Sequence, residues 1–332
     1  MEHSSGTLLL GQNEVAALLS LDECVGAVEA AFREHGMGNT QPPKVLGMPS
    51  IDGGFHIKAA ILNLSHQYFA AKLNGNFFHN QRFAMPNIQG LILLCDATNG
   101  HPLAVMDSIE ITIVRTGAAT AVAAKYLARP ESKTVTVCGC GNQGRIQLRS
   151  LRKVLAIEHV YAFDLNEKKA RAFADEFSNE LRVEFCGLDQ LANAIRSSDV
   201  SVTCTPAKSY FVNNEHVSPG TFIAAVGADN EEKQELDPRL LTSNTVVADV
   251  LEQCVEIGDL HHAVSQGLMQ PGEVHAELGQ VVAGKRPGRT SREEITIFDS
   301  TGTALQDVAA AALVYEKALA EQRGTRFCFA GT

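Results

Sequence analysis

No stretch of this 332-residue chain approaches the roughly 18 uninterrupted apolar residues that a membrane-spanning helix needs. The opening segment, MEHSSGTLLLGQNEVAALL, has no positively charged stretch, and Gln12, Asn13 and Glu14 break its brief apolar run. We therefore expect no signal peptide and a cytoplasmic protein. An excess of basic residues is missing too: 28 Lys and Arg stand against 38 Asp and Glu, a formal charge of −10. That balance argues against nucleic acid or an anionic membrane as partner, and leaves room for a local basic pocket that takes a small acid. No tract is compositionally biased enough to suggest disorder. Cysteines do not cluster: of eight, only Cys138 and Cys140 are close, and a C-x-C pair without a second ligand pair makes no zinc site. No metal is expected, and the scattered thiols read as small buried residues of a reducing compartment.

What is present divides the chain in two. Residues 13–35 have helical apolar spacing, with Asn13 and Asp22 as candidate caps of two helices. From 38 to 111, β-type alternation is punctuated by PP, DGG and TNG turns, and an Ala-rich helical run over 112–128 then stops before Pro130. Beyond it, strands alternate with helices of ten to fifteen residues, the mark of a parallel, doubly wound sheet. A final Ala-rich helix follows ITIFDSTG. The expected fold is α/β, a Rossmann domain over 130–302 joined to an α+β substrate and dimerisation domain over 1–129.

The strand TVTVC runs straight into Gly139-x-Gly141-x-x-Gly144, and a helix begins at once. In that context the first glycine turns the chain, the second lets the backbone approach a pyrophosphate, and the third lets helix pack on strand. The next strand ends at Asp164, twenty residues past Gly144, where a carboxylate can bind ribose hydroxyls and repel a 2′-phosphate. NAD(H) is favoured. Lys168, Lys169 and Arg171, one helical turn on, keep NADP(H) open.

Four places outside the loop carry candidate chemistry. Lys72, in YFAAKLNGNF, sits where an apolar strand meets a Gly-Asn turn, so its ammonium would emerge at a strand end; an edge-strand lysine that discourages aggregation is the alternative. Arg115 lies in a small, apolar helix, where a buried guanidinium needs an anion: a cofactor phosphate, a substrate carboxylate or an internal acid. His56 and Lys58 are two apart and share a strand face, lining a site or facing water. Asp229 follows the fifth strand of the second half at its carboxyl end, where open α/β sheets bind ligands, and would also serve as a helix cap.

The segments AAKLNGNFFHN, GLILLCDATNGHPLAVMDSIEITIVRTGAATAVAAKYLA, VCGCGNQGRIQL, VGADNEEKQEL and ITIFDSTGTALQD, in that order, resemble the ornithine cyclodeaminase and mu-crystallin family over nearly the whole chain. The resemblance implies a catalytic Lys72, an Arg115 shared by substrate carboxylate and cofactor, and an Asp229 that acts on the substrate nitrogen. It sets Asn142 and Gln143 at the pyrophosphate, Asp164 at the ribose, and Asn87 and Thr116 near the cofactor. Thr205, the Val226-Gly227 pair and Thr301 match positions on the nicotinamide side. It also implies a homodimer, and a C-terminal segment, about 303–332, that returns to complete the first domain.

This chain departs from the family pattern around the substrate. Lys44, in PPKVLGM, stands where a substrate-binding arginine is usual, so a point charge replaces a bidentate fork. Lys58-Ala59, preceded by His56, replaces a common Met-Pro and offers a second carboxylate contact. Cyclodeaminases carry a glutamate near His56, and its absence argues against ornithine cyclisation. The expected function is hydride transfer from NAD(P)H to a small α-imino acid, a cyclic ketimine such as Δ1-pyrroline-2-carboxylate, with amino-acid dehydrogenase activity as the reverse chemistry. Ornithine cyclodeamination and a non-catalytic NAD(P)H-binding protein are the rival readings.

Overall fold

Strand alternation between residues 44 and 107 builds a single antiparallel meander. In the computed structural model, which describes residues 6–77 and 79–329, the chain begins with β1 (Thr7–Leu10), α1 (Gln12–Leu18) and α2 (Leu21–Met37). The meander follows as β2 (Lys44–Ser50), β3 (Gly53–Asn63), β4 (Gln67–Phe77), β5 (Ile88–Asp96) and β6 (Pro102–Asp107), and leads into α3 (Ile109–Leu127). The helix caps are not Asn13 and Asp22. Gly11 precedes α1, and Ser20 caps α2 by accepting the Glu23 amide, because a short hydroxyl one residue outside the helix reaches a free N–H that a residue inside the first turn cannot.

The second half runs β7 (Thr134–Cys138), α4 (Asn142–Leu151), β8 (His159–Phe163), α5 (Glu167–Phe177), β9 (Arg182–Phe185), α6 (Leu191–Arg196) and β10 (Val200–Thr203). It continues with β11 (Lys208–Val212), β12 (Phe222–Ala225), β13 (Gln234–Leu236), α7 (Pro238–Thr242), β14 (Thr245–Ala248), α8 (Leu251–Ile257), α9 (Asp259–Ser265), β15 (Ala276–Glu277), α10 (Leu278–Val282) and β16 (Thr296–Asp299). Then come α11 (Ala304–Ala320) and β17 (Thr325–Phe327). Two compact units result: the described residues of Met1–Arg115 with those of Thr303–Thr332, and Thr116–Gly302. The sequence pattern changes at Pro130, whereas the units divide inside α3, just after Arg115.

The first unit holds a seven-stranded sheet in the order β17-β1-β6-β5-β4-β3-β2. Its strands pair antiparallel except β1 with β6. Directly paired residues share a face, so Lys58, Lys72, Ile92 and Met106 lie in a row on one side. α11 packs on β3, β4 and α2, with Thr303 capping its first turn. The opposite face carries Met48 and Phe55, Leu46 and Ile57, Leu73 and Leu91, and much of it is exposed.

The second unit is an all-parallel, eight-stranded sheet, β15-β14-β16-β12-β10-β7-β8-β9. β7 is first in sequence, β8 and β9 lie on one side of it and β10 and β12 on the other, so the strand order reverses at β7 and β10. Ligands bind such sheets outside the carboxyl ends of the strands at that switch point. No helix among the described residues is long and apolar enough to cross a membrane.

Candidate active site and cofactor loop

Lys72 occupies the middle of β4, an interior strand, and is 4% exposed. Neither the strand end expected from the Gly-Asn pair nor the alternative edge-strand position is found. β4 continues through Gly75 and Asn76 to Phe77, because Gly75 makes room for an aromatic neighbour rather than a turn. A Cβ on Gly75 would stand 3.2 Å from the Phe55 ring, which packs edge-on against Phe77 at 5.4 Å.

Facing Lys72 across the unit is Asp307, on α11. The Lys72 Nζ lies 2.9 Å from each Asp307 carboxylate oxygen and donates a longer bond, 3.4 Å, to Thr112 Oγ1. Arg115 Nε donates to the same carboxylate at 2.9 Å, and its Nη1 donates to Gln306 Oε1 at 2.7 Å. Lys72, Arg115 and Asp307 are all buried. Of the anions open to Arg115 at the outset, an internal acid is therefore present. Sequence reasoning missed Asp307, although a lone acid in the apolar run TALQDVAAAALV carries the same signal that singled out Arg115.

Two cations around one carboxylate leave a buried surplus of positive charge. Burial first, then the charges of Arg115 and Lys58, lower the Lys72 pKa; Asp307 opposes them, and the balance stands at about 7. Burial works to raise the Asp307 pKa, but Arg115 and Lys72 outweigh it and hold that carboxyl below its usual range. An anion delivered to this cluster would balance the charge and favour the protonated lysine.

The remaining substrate candidates separate by strand register. Lys58 pairs directly with Lys72, and His56 with Asn74, so both side chains share the Lys72 face. Lys44, exposed at the start of β2, pairs with Ala59 and so falls on the opposite side. Asn87, whose carbonyl accepts the Phe77 amide, has its side-chain Oδ1 buried without a partner.

In the second unit the glycine loop has the geometry a pyrophosphate requires. Gly139 has φ +103°, which an L side chain rarely adopts, and a Cβ there would press within 2.7 Å of the Cys204 carbonyl. A Cβ on Gly144 would come within 2.1 Å of the Gly139 carbonyl, while at Gly141 nothing lies within 4 Å. Gly141 also precedes α4 without a side-chain cap, and Gln143 Oε1 is buried with no partner. Asn142 and Gln143 open that helix, so free amides, open space and an unsatisfied acceptor converge where the phosphates would sit. Asp164, at the end of β8, accepts the Cys140 amide at 3.0 Å on one oxygen and the Asn166 amide at 2.8 Å on the other. Each oxygen retains a lone pair for a ribose hydroxyl. These residues fit a dinucleotide. Cys138 and Cys140 are fully buried, and burial raises both thiols, Cys140 to about 12. They are packing rather than reactive groups.

The other predicted cofactor positions follow strand ends. Thr205 comes after β10, and Val226-Gly227 after β12, where the Val226 amide bonds to the Thr203 carbonyl. Thr116 is buried on α3. Thr301 donates to Asp249 at 3.1 Å and accepts from Gln253 at 2.8 Å. Asp229 is not buried: its side chain is 45% exposed and pairs with Lys233 at 2.6 Å. Glu235, on β13, was not anticipated; it accepts from Thr205 and Gly227 together.

The parallel sheet with its fitted glycine loop defines a dinucleotide-binding α/β protein, whose other unit holds a buried Lys-Asp-Arg cluster. The chain belongs to the ornithine cyclodeaminase/mu-crystallin family, whose model matches residues 6–322. It is similar to the solved structure of an archaeal alanine dehydrogenase dimer with bound NAD, at 41% identity and TM-score 0.93, over 98% of this chain and 99% of that one. It is also similar to the Δ1-pyrroline-2-carboxylate reductase of Thermococcus litoralis in complex with NADH and L-proline, at 32% identity and TM-score 0.90, covering 97% and 100%. The iminosuccinate reductase of Paracoccus denitrificans in complex with NAD+ matches at 32% identity and TM-score 0.86, covering 96% and 98%.

Proposed function

We propose that this protein is an NADH-dependent reductase of small α-imino acids, reducing a C=N bond to the L-amino acid and, in reverse, oxidising an amino acid. The observation that carries the reading is the buried Lys72–Asp307–Arg115 cluster, with its surplus positive charge, in a chain whose other unit fits a dinucleotide. NADH, when bound, supplies the hydride. Arg115 attracts the substrate carboxylate, with Lys58 and His56 on the same sheet face as further contacts. Arrival of that carboxylate favours a proton on Lys72, and Lys72 keeps the imine nitrogen protonated, the form that accepts hydride readily. Asp229 is assigned the return of a proton at the same nitrogen, a role its exposure and pairing with Lys233 make compatible with exchange with water. Asp164 favours NADH over NADPH.

Similarity to an alanine dehydrogenase at 41% identity supports reductive amination of pyruvate as a second activity of the same site. The test is one assay panel: five- and six-membered cyclic ketimines, iminosuccinate, pyruvate with ammonia, and ornithine, each with NADH and NADPH. The reductase reading expects NADH consumed in proportion to imine. Ammonia released from ornithine without net NADH change would instead establish a cyclodeaminase, and turnover of nothing would leave a binding protein. We further propose a homodimer formed through the exposed apolar face of the seven-stranded sheet.

A further inference from the structure

We propose that Glu235 is a positioning residue for the nicotinamide end of the cofactor: its carboxylate clasps Thr205 and Gly227, the residues that follow β10 and β12, and fixes the wall they form. The inference rests on the cofactor reading above. One Glu235 oxygen accepts both the Thr205 amide, at 2.6 Å, and the Thr205 hydroxyl, at 2.7 Å. The other accepts the Gly227 amide at 2.9 Å. Both residues stand just past the carboxyl ends of parallel strands, the ligand edge of the sheet. Thr205 is also one residue from Cys204, whose carbonyl a Cβ on Gly139 would meet at 2.7 Å and whose amide bonds to the Cys138 carbonyl. The clasp therefore joins directly to the dinucleotide loop.

Glu235 is fully buried, and its carboxylate meets backbone and hydroxyl donors rather than a cation. Apolar residues would serve stability better than a buried acid held this way. What the acid supplies is geometry, since only a carboxylate offers acceptors on both ends to donors arriving from two loops. The approach also depends on glycine: a Cβ on Gly227 would lie 2.3 Å from Glu235. Behind the clasp, Asp259 accepts the amides of Glu235 and Leu236 at 2.8 and 2.9 Å. Asp299 in turn accepts the Leu260 amide at 2.9 Å, which fixes the start of α9. Each acid thus holds the backbone that presents the next, ending at Thr205 and Gly227.

The clasp is tested by ligands that share one end and differ at the other. ADP-ribose contains the part of the cofactor assigned to the glycine loop and Asp164 but lacks nicotinamide, so its affinity and that of NADH are measured side by side by calorimetry. In Glu235→Gln, where an NH2 group meets one set of donors, NADH affinity is expected to fall about tenfold while ADP-ribose affinity stays within about twofold. Thr205→Val, which removes one donor with little change of shape, should give the same pattern with a smaller loss, and decides the question if Glu235→Gln does not fold. Equal loss of both ligands, or no loss of NADH, would overturn the proposal. A wild-type protein that binds neither ligand fails earlier and overturns the cofactor reading with it.

Discussion

Lys72 and Asp307 are separated by 235 positions in sequence and 2.9 Å in space, and the lysine's chemistry is a property of the pair rather than of either residue. Burial, with the charges of Arg115 and Lys58, lowers the Lys72 pKa from 10.5 to about 7, and Asp307 is the group that keeps it from falling further. Reduction of an imine uses the protonated lysine, so kcat/KM for imine should decline as pH rises through about 7, while amino-acid oxidation, which uses the neutral lysine, should rise through the same region. Removing the negative charge by Asp307→Asn takes away the one influence that raises the pKa. The declining limb should therefore move to lower pH, a shift that pH–rate profiles in both directions can read. An unmoved limb would separate Asp307 from the proton on Lys72. In Lys72→Ala, reduction of the best imine should fall by about 10²–10⁴-fold, the usual contribution of a positioned acid or base. Full activity in that variant, measured in the same assay, would end the mechanism.

Elements were legible from the sequence where local signals act alone, and obscured where distant packing overrides them. β7, the glycine loop, α4, β8 and Asp164 stand within 31 consecutive residues, and every rule that places them is local. The Gly75-Asn76 pair looks like a turn by composition, but packing of Phe55 against Phe77 makes it the continuation of β4, which only the neighbouring strand can dictate. Asp307 carried a signal, a lone acid in an apolar run, but its partners were hidden for the same reason: α11 reads as an Ala-rich helix, and its one buried acid meets Lys72 and Arg115 only when the chain returns to the first sheet. At this scale Asp164 yields a clean prediction. Asp164→Ser removes the charge that repels a 2′-phosphate and also the acceptor of the Cys140 amide. Steady-state kinetics with both cofactors should show NADH efficiency falling and NADPH efficiency rising, changing their ratio by about tenfold or more in favour of NADPH. Unchanged preference would remove Asp164 from cofactor choice.

For the molecule as a whole, the telling feature is a sheet with two unlike faces. Helix α11 covers one, while the other shows Leu46 at 53% exposure, Met48 at 54%, Phe55 at 42%, Leu73 at 44% and Leu91 at 53%. Register puts these side chains on one surface: Met48 opposite Phe55, Leu46 and Leu73 each opposite Ile57, and Leu91 opposite Leu73. An antiparallel sheet readily leaves one face to water, but that face is then normally polar, and a continuous apolar one marks an interface. A twofold dimer satisfies such a face with the same face of a second copy, as isologous symmetry requires. Light scattering coupled to size exclusion should accordingly return twice the 35.7 kDa chain mass. In a Leu73→Lys, Leu91→Lys variant, like charges would meet across the twofold axis, and the mass should fall to that of one chain. Because Lys72 follows the opposite face of the same strand, the same variant should also lose activity through β4 even though neither substituted side chain lies on the Lys58–Lys72 side. A variant that stays dimeric at micromolar concentration would place the interface elsewhere and leave this surface unexplained.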